Sequence, residues 1–314
     1  MMRYLVGRAA QAVVVIFVVT IIVFALVRLL PGGPAESILG RRATPAAKAE
    51  FNHLNGYDRS IVAQYGIYVE HLVQGDLGYS YKRNQSVSGL LAQTLPKTVL
   101  LVGFSTLLAV LLAVPLGILQ AVRRNRPVDY VLTGAAFVFY AMPSFWLGLV
   151  LVEVFAVRLG WLPPEAPQGG FFDVLAHPTG VILPVAALTL VTVAQFSRYM
   201  RSSMLEQLTE DYVRTARARG VSEGRVVLRH AMRNALVPVV TLLGLSLPWI
   251  LGGALVVESV FNYPGTGLLF WNAAQGQDYA IELGISVVAA VGTVVGSLLA
   301  DLTYALLDPR VRLD

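Results

Sequence analysis

Six apolar runs, each about as long as a bilayer-spanning helix, limit what this 314-residue chain can fold into. A span needs about 20 mostly apolar residues. The runs are Ala9–Val27, Val99–Val122, Tyr130–Val157, Gly180–Tyr199, Leu236–Val257 and Ile281–Leu307, the last ended by Asp308-Pro309. Composition agrees: 56% of residues are hydrophobic and 14% are charged, against about 25% charged in a soluble domain. The pattern predicts an all-α integral membrane protein with six transmembrane helices. Pro115, Pro143, Pro184, Pro238 and Pro248 fall inside the runs and predict kinks, in packing or along a pathway. The first run is longer than a signal peptide's apolar core, and PGGPAES after it is a poor cleavage site, so it is read as a retained span.

Arginines set the orientation. One set of short segments carries Arg3 and Arg8, then Arg123, Arg124 and Arg126, then seven arginines from Arg201 to Arg233, then Arg310 and Arg312. The alternate segments, 158–179 and 258–280, carry only Arg158. Positive charge stays in the cytoplasm, which predicts cytoplasmic termini and an external segment 31–98. That segment holds a helical stripe of Ile61, Val62, Tyr65, Tyr68, Val69, Leu72 and Val73. A second short helix starts at Ser86 and leads through Leu90 and Leu91 to Pro96. Both are expected to pack over the outer face, as a cap or as a contact surface for an external partner.

The stretch Asp211–Pro238, DYVRTARARGVSEGRVVLRHAMRNALVP, cannot cross the bilayer. The seven arginines from Arg201 to Arg233, at about 2.5–3.5 kcal/mol each, would cost on the order of 20 kcal/mol within a span. Leu205, Leu208, Tyr212 and Ala216 share one helical face. Gly220 breaks the run in the left-handed conformation that ends helices. Ser222 caps a second helix, which carries Glu223 in its first turn and Leu228, Ala231 and Ala235 on one face. Small residues Ala216, Ala218 and Gly220 at the tip permit close approach of another backbone. Two readings stand: a solvated helical hairpin, or a docking surface.

The chain offers little catalytic chemistry. The chain has no cysteine, which excludes disulfides and thiol catalysis. None of the three lysines follows a glycine, so there is no P-loop. His53, His71, His177 and His230 are scattered. Glu153 and Asp301 lie within spans but shallow enough to pair or snorkel. A proton-coupled secondary carrier would need more buried titratable groups than these. A membrane hydrolase would need a nucleophile–base or metal motif.

DYVRTARARG followed by RHAMRNALVP resembles the signature loop of bacterial ATP-binding-cassette (ABC) importer permeases, closest to the B-type, dipeptide-permease-like members of the dipeptide, oligopeptide and nickel branch. Arg214 stands where the broader importer pattern has glutamate, as in the peptide branch. RLLPGGPAE, QYGIYVEHLVQGDLGYSYKRNQSV, MPSFWLGLVL, LGWLPPEA, VVESVFNYPGTGLLFWNAAQGQDY and YALLDPRVR carry the resemblance along the chain, with Gly33 replacing a usual acid.

The resemblance implies a type I ABC importer permease fold with a long extracytoplasmic insertion between helices 1 and 2, in a bacterial plasma (inner) membrane. Residues 1–30 form the tail and first helix, 31–98 the external segment, 99–307 a five-helix core with coupling loop 201–235, and 308–314 a cytoplasmic tail. It implies a non-catalytic subunit with a homologous second permease, two ATP-binding subunits and an extracytoplasmic substrate-binding protein as partners, and no nucleic acid. This chain would hold no cofactor; ATP and Mg²⁺ would sit on the partner subunits. The expected cargo is di- or oligopeptides, with nickel chelates, haem or glutathione as alternatives, and a proton-coupled carrier as the alternative of another class. The expected ATPase contacts are Tyr212, Thr215, Ala216, Arg217, Gly220 and Val221. The substrate pathway stays unassigned.

Overall fold

The computed structural model describes residues 2–28, 33–40, 42–252 and 254–307. Their elements begin with α1 (Met2–Arg28), α2 (Gly33–Leu39), α3 (Pro45–Leu54), α4 (Ile61–Val73) and the strands β1 (Tyr79–Ser80) and β2 (Gln85–Ser86). Then come α5 (Val87–Val122), α6 (Pro127–Ala141) and α7 (Ser144–Leu151), which runs into a π-helical turn, Val152–Arg158. Next are α8 (Phe171–Ala176), α9 (Thr179–Gln207), α10 (Asp211–Ala218) and α11 (Glu223–Arg225), which continues as a π-helical turn, Val226–Ala231. α12 (Met232–Gly252), α13 (Leu255–Val260), α14 (Thr266–Gly276) and α15 (Tyr279–Leu307) complete the order. The expected stop at Asp308-Pro309, the tail 308–314 and the side chain of Asp301 lie outside the described residues.

Among the described residues, four helical stretches are long and apolar enough to cross a membrane: α5, α9, Glu223–Gly244 and Tyr279–Leu299 of α15. The α6–α7 pair adds a fifth if taken as one span, and α1 carries a shorter apolar stretch, Ala10–Leu26. The pair α6–α7 corrects the expectation of one kinked third helix: it bends by 105°. Pro143 supplies the reason. It pushes Met142 into extended backbone (φ −79°, ψ 124°), as a proline does to the residue before it. The fifth run is also interrupted. α12 ends at Gly252, and Ala254 stands at the start of α13 with φ −103° and ψ 61°.

The bundle is built on α5 against α9. α5 presents Ser105, Ala109, Ala113, Gly117 and Ala121 at four-residue intervals, all buried. Such a small-residue stripe lets helix backbones approach. A Cβ on Gly117 would lie 2.6 Å from Met200 Cβ and 2.7 Å from the Ser197 carbonyl oxygen, so only glycine fits there. Phe196, Met200 and Met204 of α9 fill the resulting core. Large apolar side chains on the outside of the bundle are exposed, among them Leu107, Leu111, Val131 and Leu149. A bilayer would cover them.

α5 corrects the second helix expected outside the membrane. Ser86 does start it, its hydroxyl accepting from Gly89 N–H at 3.2 Å, but the helix runs 36 residues through Pro96 and Pro115 without a break. The expected division at 98/99 therefore falls inside one continuous helix. At about 1.5 Å per residue α5 is about 54 Å long, well beyond the roughly 30 Å hydrocarbon core.

The insertion before α5 also differs in detail from the expectation. α4 lies on α1, with Tyr65 5.2 Å and Tyr68 5.7 Å from the Phe24 ring and a 2.8 Å hydrogen bond between the Tyr65 and Thr20 hydroxyls. Ile61, Val62 and Val73, placed in the same stripe, are exposed. The β1–β2 hairpin anchors on the corner between α14 and α15: Ser80 donates to the Asp278 carboxylate and Lys82 to the carbonyls of Gly276 and Gln277.

Candidate functional site

The arginine-rich loop holds the two short helices expected on either side of Gly220, α10 and α11, but the first starts later than the apolar face suggested. α9 stops at Gln207, and Glu210 begins α10 in extended backbone. This breaks the face drawn through Leu205, Leu208, Tyr212 and Ala216. Inside α10 the buried residues are Val213 and Ala216, three apart, packed with Met200, Met204, Val226 and Ala231. The strongly polar sequence around them leaves one narrow apolar edge, so α10 lies flat on the end of the bundle.

α10 ends in a Schellman motif. Gly220 has φ +78°. Gly220 N–H donates to the Arg217 carbonyl at 2.9 Å and Val221 N–H to the Ala216 carbonyl at 3.2 Å. Val221 turns inward onto the same core as Ala216, which supplies the hydrophobic contact that usually accompanies this motif. Beyond Gly220 no atom stands within 4 Å of the position a Cβ would take. The glycine is required by its backbone angle, and its surface is open.

The expected site residues thus separate into two groups. Tyr212, Thr215, Arg217 and Gly220 are exposed. Tyr212 hydroxyl donates to Gln207 Oε1 at 2.7 Å and Thr215 hydroxyl to the Asp211 carbonyl at 2.9 Å. Arg217 reaches across the turn to Glu223, Nε to Oε1 at 2.8 Å and Nη2 to Oε2 at 3.3 Å. Ala216 and Val221 instead face the bundle. This corrects Ala216 as a small residue offered at the tip: its side chain is only 7% exposed, because the turn needs an apolar foot. Ser222 opens the next helix with its carbonyl, accepting from Arg225 and Val226 N–H, and makes no side-chain cap. The π-helical turn Val226–Ala231 then shifts the face. Val226, Val227, Ala231 and Ala235 are buried, while Leu228, expected inside, is 58% exposed.

Two acid clusters escaped the sequence reading. At the basic end, Asp129 is buried and takes Arg201 Nε at 2.8 Å and Nη2 at 2.9 Å. Asn125 N–H and the Thr133 hydroxyl also donate to it, at 3.0 and 3.2 Å. The pair fastens the Arg123–Arg126 turn to α9 two turns before the loop. At the opposite end, Glu258 of α13 is fully buried. It accepts from Thr98 hydroxyl at 2.8 Å, Gly267 N–H at 2.7 Å and Leu268 N–H at 3.0 Å. Thr98 in turn accepts from Thr266 N–H at 2.8 Å, and Tyr263 hydroxyl donates to the Lys97 carbonyl at 2.7 Å. Burial raises the Glu258 carboxyl above its ordinary value, and its hydrogen-bond donors offset only part of that rise. The sequence signal was present in each case, an acid in a basic turn and an acid ahead of NYPGTG. Glu153, by contrast, sits as read, paired with Arg158 at 2.9 Å.

Between the two ends lies a cavity of about 530 Å³ among α5, α7, α9, α12 and α13. Thr106, Thr192, Gln195 and Ser246 give it polar points; Leu242 and Val257 are among its apolar walls.

With this geometry in hand, similarity to known proteins is informative. The N-terminal residues 1–102 match the family described as "Binding-prot-dependent transport system membrane comp, N-term". An oligopeptide transport system permease protein, AppB of Bacillus subtilis, is 38% identical over 318 residues, covering 99% of this chain and all of that one. A dipeptide transport system permease protein, DppB of Alkalihalophilus pseudofirmus, is 36% identical over 333 residues with 99% and 100% coverage. A glutathione transport system permease protein, GsiC of Escherichia coli, is 36% identical over 312 residues, with 99% of each chain covered. A chain of the inward-facing MetNI methionine ABC transporter shares the fold at a TM-score of 0.55 and 15% identity, covering 70% of this chain and 96% of that one. The helical bundle is therefore the type I ABC importer permease fold, in a multi-pass inner-membrane protein. Since residues 113–313 match its main family profile, the chain belongs to the binding-protein-dependent transport system inner membrane components, the non-catalytic permease subunits of ABC transporters.

Proposed function

We propose that this protein is the B-type permease of an ATP-driven importer of di- or oligopeptides. It works with a homologous second permease, two ATP-binding subunits and an extracytoplasmic binding protein that delivers the cargo. Both termini and the Asp211–Val221 turn face the cytoplasm, and the insertion between α1 and α5 faces outside. The reading of the turn rests on one observation: an open, left-handed Gly220 held rigid from beneath by Ala216 and Val221. Tyr212, Thr215, Arg217 and Gly220 are the surface offered to an ATP-binding subunit. A tip fixed to α9 and α12 carries motion of that subunit into the bundle as rigid-body movement, the kind of change that alternates access. Peptide cargo is supported by full-length similarity to permeases named for oligopeptides and dipeptides. The relative named for glutathione keeps that small peptide-like solute within the same reading.

Reconstitution tests it. The chain alone in liposomes should accumulate no peptide. Adding the second permease, ATP-binding subunits, binding protein and ATP should give accumulation that a non-hydrolysable ATP analogue cannot support. Transport of nickel or haem but no peptide would overturn the cargo. Accumulation by the lone chain on a proton gradient would overturn the assembly.

A further inference from the structure

The cavity of about 530 Å³ is polar but uncharged. Among the described residues its lining holds no acid, lysine, arginine or histidine, and no residue from 242 to 257 is one of these. Its polar groups are placed deep in the bundle, where polar groups are costly and mark a functional site by default. Gln195 lies near the middle of α9, about 9 Å along the helix from Arg201. It lines the cavity and is exposed there. No hydrogen bond reaches its amide among the described residues. A second observation is independent of it. The interruption between α12 and α13 opens on the same space: Ala254, with φ −103° and ψ 61°, is part of the wall. Non-helical backbone at membrane depth is tolerated where it is buried in protein or lines a water-filled cavity.

The hydroxyls of the lining are set as acceptors. Thr192 donates to the Leu188 carbonyl and Ser246 to the Leu242 carbonyl, both at 2.8 Å. Each has thereby used its one hydrogen and turns only lone pairs to the space. Gln195 adds one carbonyl acceptor and two N–H donors. Together these groups match a ligand that carries N–H and C=O side by side without charge, which is what each unit of a peptide main chain offers. The volume is within the range that encloses small ligands.

We propose that this cavity is a solute-binding site that holds the peptide main chain through Gln195, Thr192 and Ser246, and that its uncharged wall leaves the charge of the peptide's side chains unread. The proposal rests on the peptide-permease reading and adds to it a place and a chemistry of recognition.

Putting a charge on the wall tests it. The complete complex in liposomes is supplied with saturating binding protein loaded with a tripeptide, either lysine or aspartate between two alanines, at pH 8. Wild type should move the two at rates within about threefold. Q195E should favour the lysine peptide over the aspartate peptide by about tenfold or more, the size of one hydrogen bond to a charged group. Q195K should reverse the preference. The change in ratio between variant and wild type cancels any preference of the binding protein and any general loss of activity. A glutamine with a merely structural role would lower both rates together. If the Gln195 variants do not assemble, S144D carries an acid to the α7 wall of the same cavity. Ser144 is the first residue of α7, where a helix accepts an acid readily, and S144D should shift the ratio in the same direction as Q195E. Ratios that stay at the wild-type value overturn the proposal, because the solute then does not touch this wall. So does a wild type that itself sorts the two peptides by tenfold. If wild type moves neither peptide, the peptide reading itself fails first.

Discussion

Arg201 grips Asp129 through two nitrogens, at 2.8 and 2.9 Å, across 72 residues of sequence. The carboxylate is nearly sealed, with 3% of its side chain exposed, while the guanidinium keeps 27%. The pair joins the turn between α5 and α6 to the last two turns of α9, directly before the Asp211–Val221 turn. Breaking a buried pair from one side leaves an uncompensated charge.

Asp129→Asn is therefore expected to destabilise the purified protein by about 3 kcal/mol, measured as a lower thermal midpoint in detergent. The reciprocal swap Asp129→Arg with Arg201→Asp should not restore it. The Asn125 backbone N–H also donates to the Asp129 carboxylate, and an arginine there would meet a donor with donors. Full recovery by the swap would show that only opposite charge matters at this joint.

Glu258 offers a graded series. Glu258→Gln keeps one acceptor oxygen and should cost about 1–3 kcal/mol. Glu258→Leu leaves the Thr98 hydroxyl and the N–H groups of Gly267 and Leu268 without their acceptor and should be the less stable of the two. Thermal unfolding should rank wild type above Gln and Gln above Leu. Equal stability of the two variants would contradict the cradle as a carboxylate-centred structure.

Gly220→Asp should abolish transport while the chain still inserts and purifies. Its φ of +78° disfavours any side chain, and the aspartate would add bulk and charge to the proposed contact. The open space around Gly220 predicts a milder Gly220→Ala, strained by about 1 kcal/mol and partly active. ATP-binding subunits should co-purify less with the aspartate variant. Wild-type transport by Gly220→Asp would take the turn out of the mechanism.

Topology can be read chemically, because the chain has no cysteine. Ser86 and Ser222 are both exposed. Ser86→Cys should react with an impermeant thiol reagent on intact cells or spheroplasts, and Ser222→Cys only after permeabilisation. The opposite pattern would invert the bundle.

Several of these features were legible in the chain before its structure. The apolar runs located the spanning segments, because lipid imposes length and apolarity on each helix locally. Gly220 announced its left-handed turn, because that conformation depends on one residue. What was hidden depends on partners far away in sequence. Glu258 and Thr98 are 160 residues apart, and although an acid ahead of NYPGTG is a visible signal, nothing local to either residue names the other as its partner. Pro96 and Pro143 are the same residue type, yet α5 passes through the first and the chain turns by 105° at the second. The burial of Ala216 was missed because α9 ends at Gln207, which rotates the face that a continuous helix would have shown.

The most direct test of the account is a contact made by Thr215. Thr215→Cys, exposed on α10 beside Gly220, would carry a photoreactive maleimide in an otherwise cysteine-free permease, within the complete complex. Illumination should give an adduct with an ATP-binding subunit, while the same label on Ser86→Cys should give none. An equally labelled Thr215→Cys that transports normally yet never crosslinks to an ATP-binding subunit would contradict the docking role of this turn.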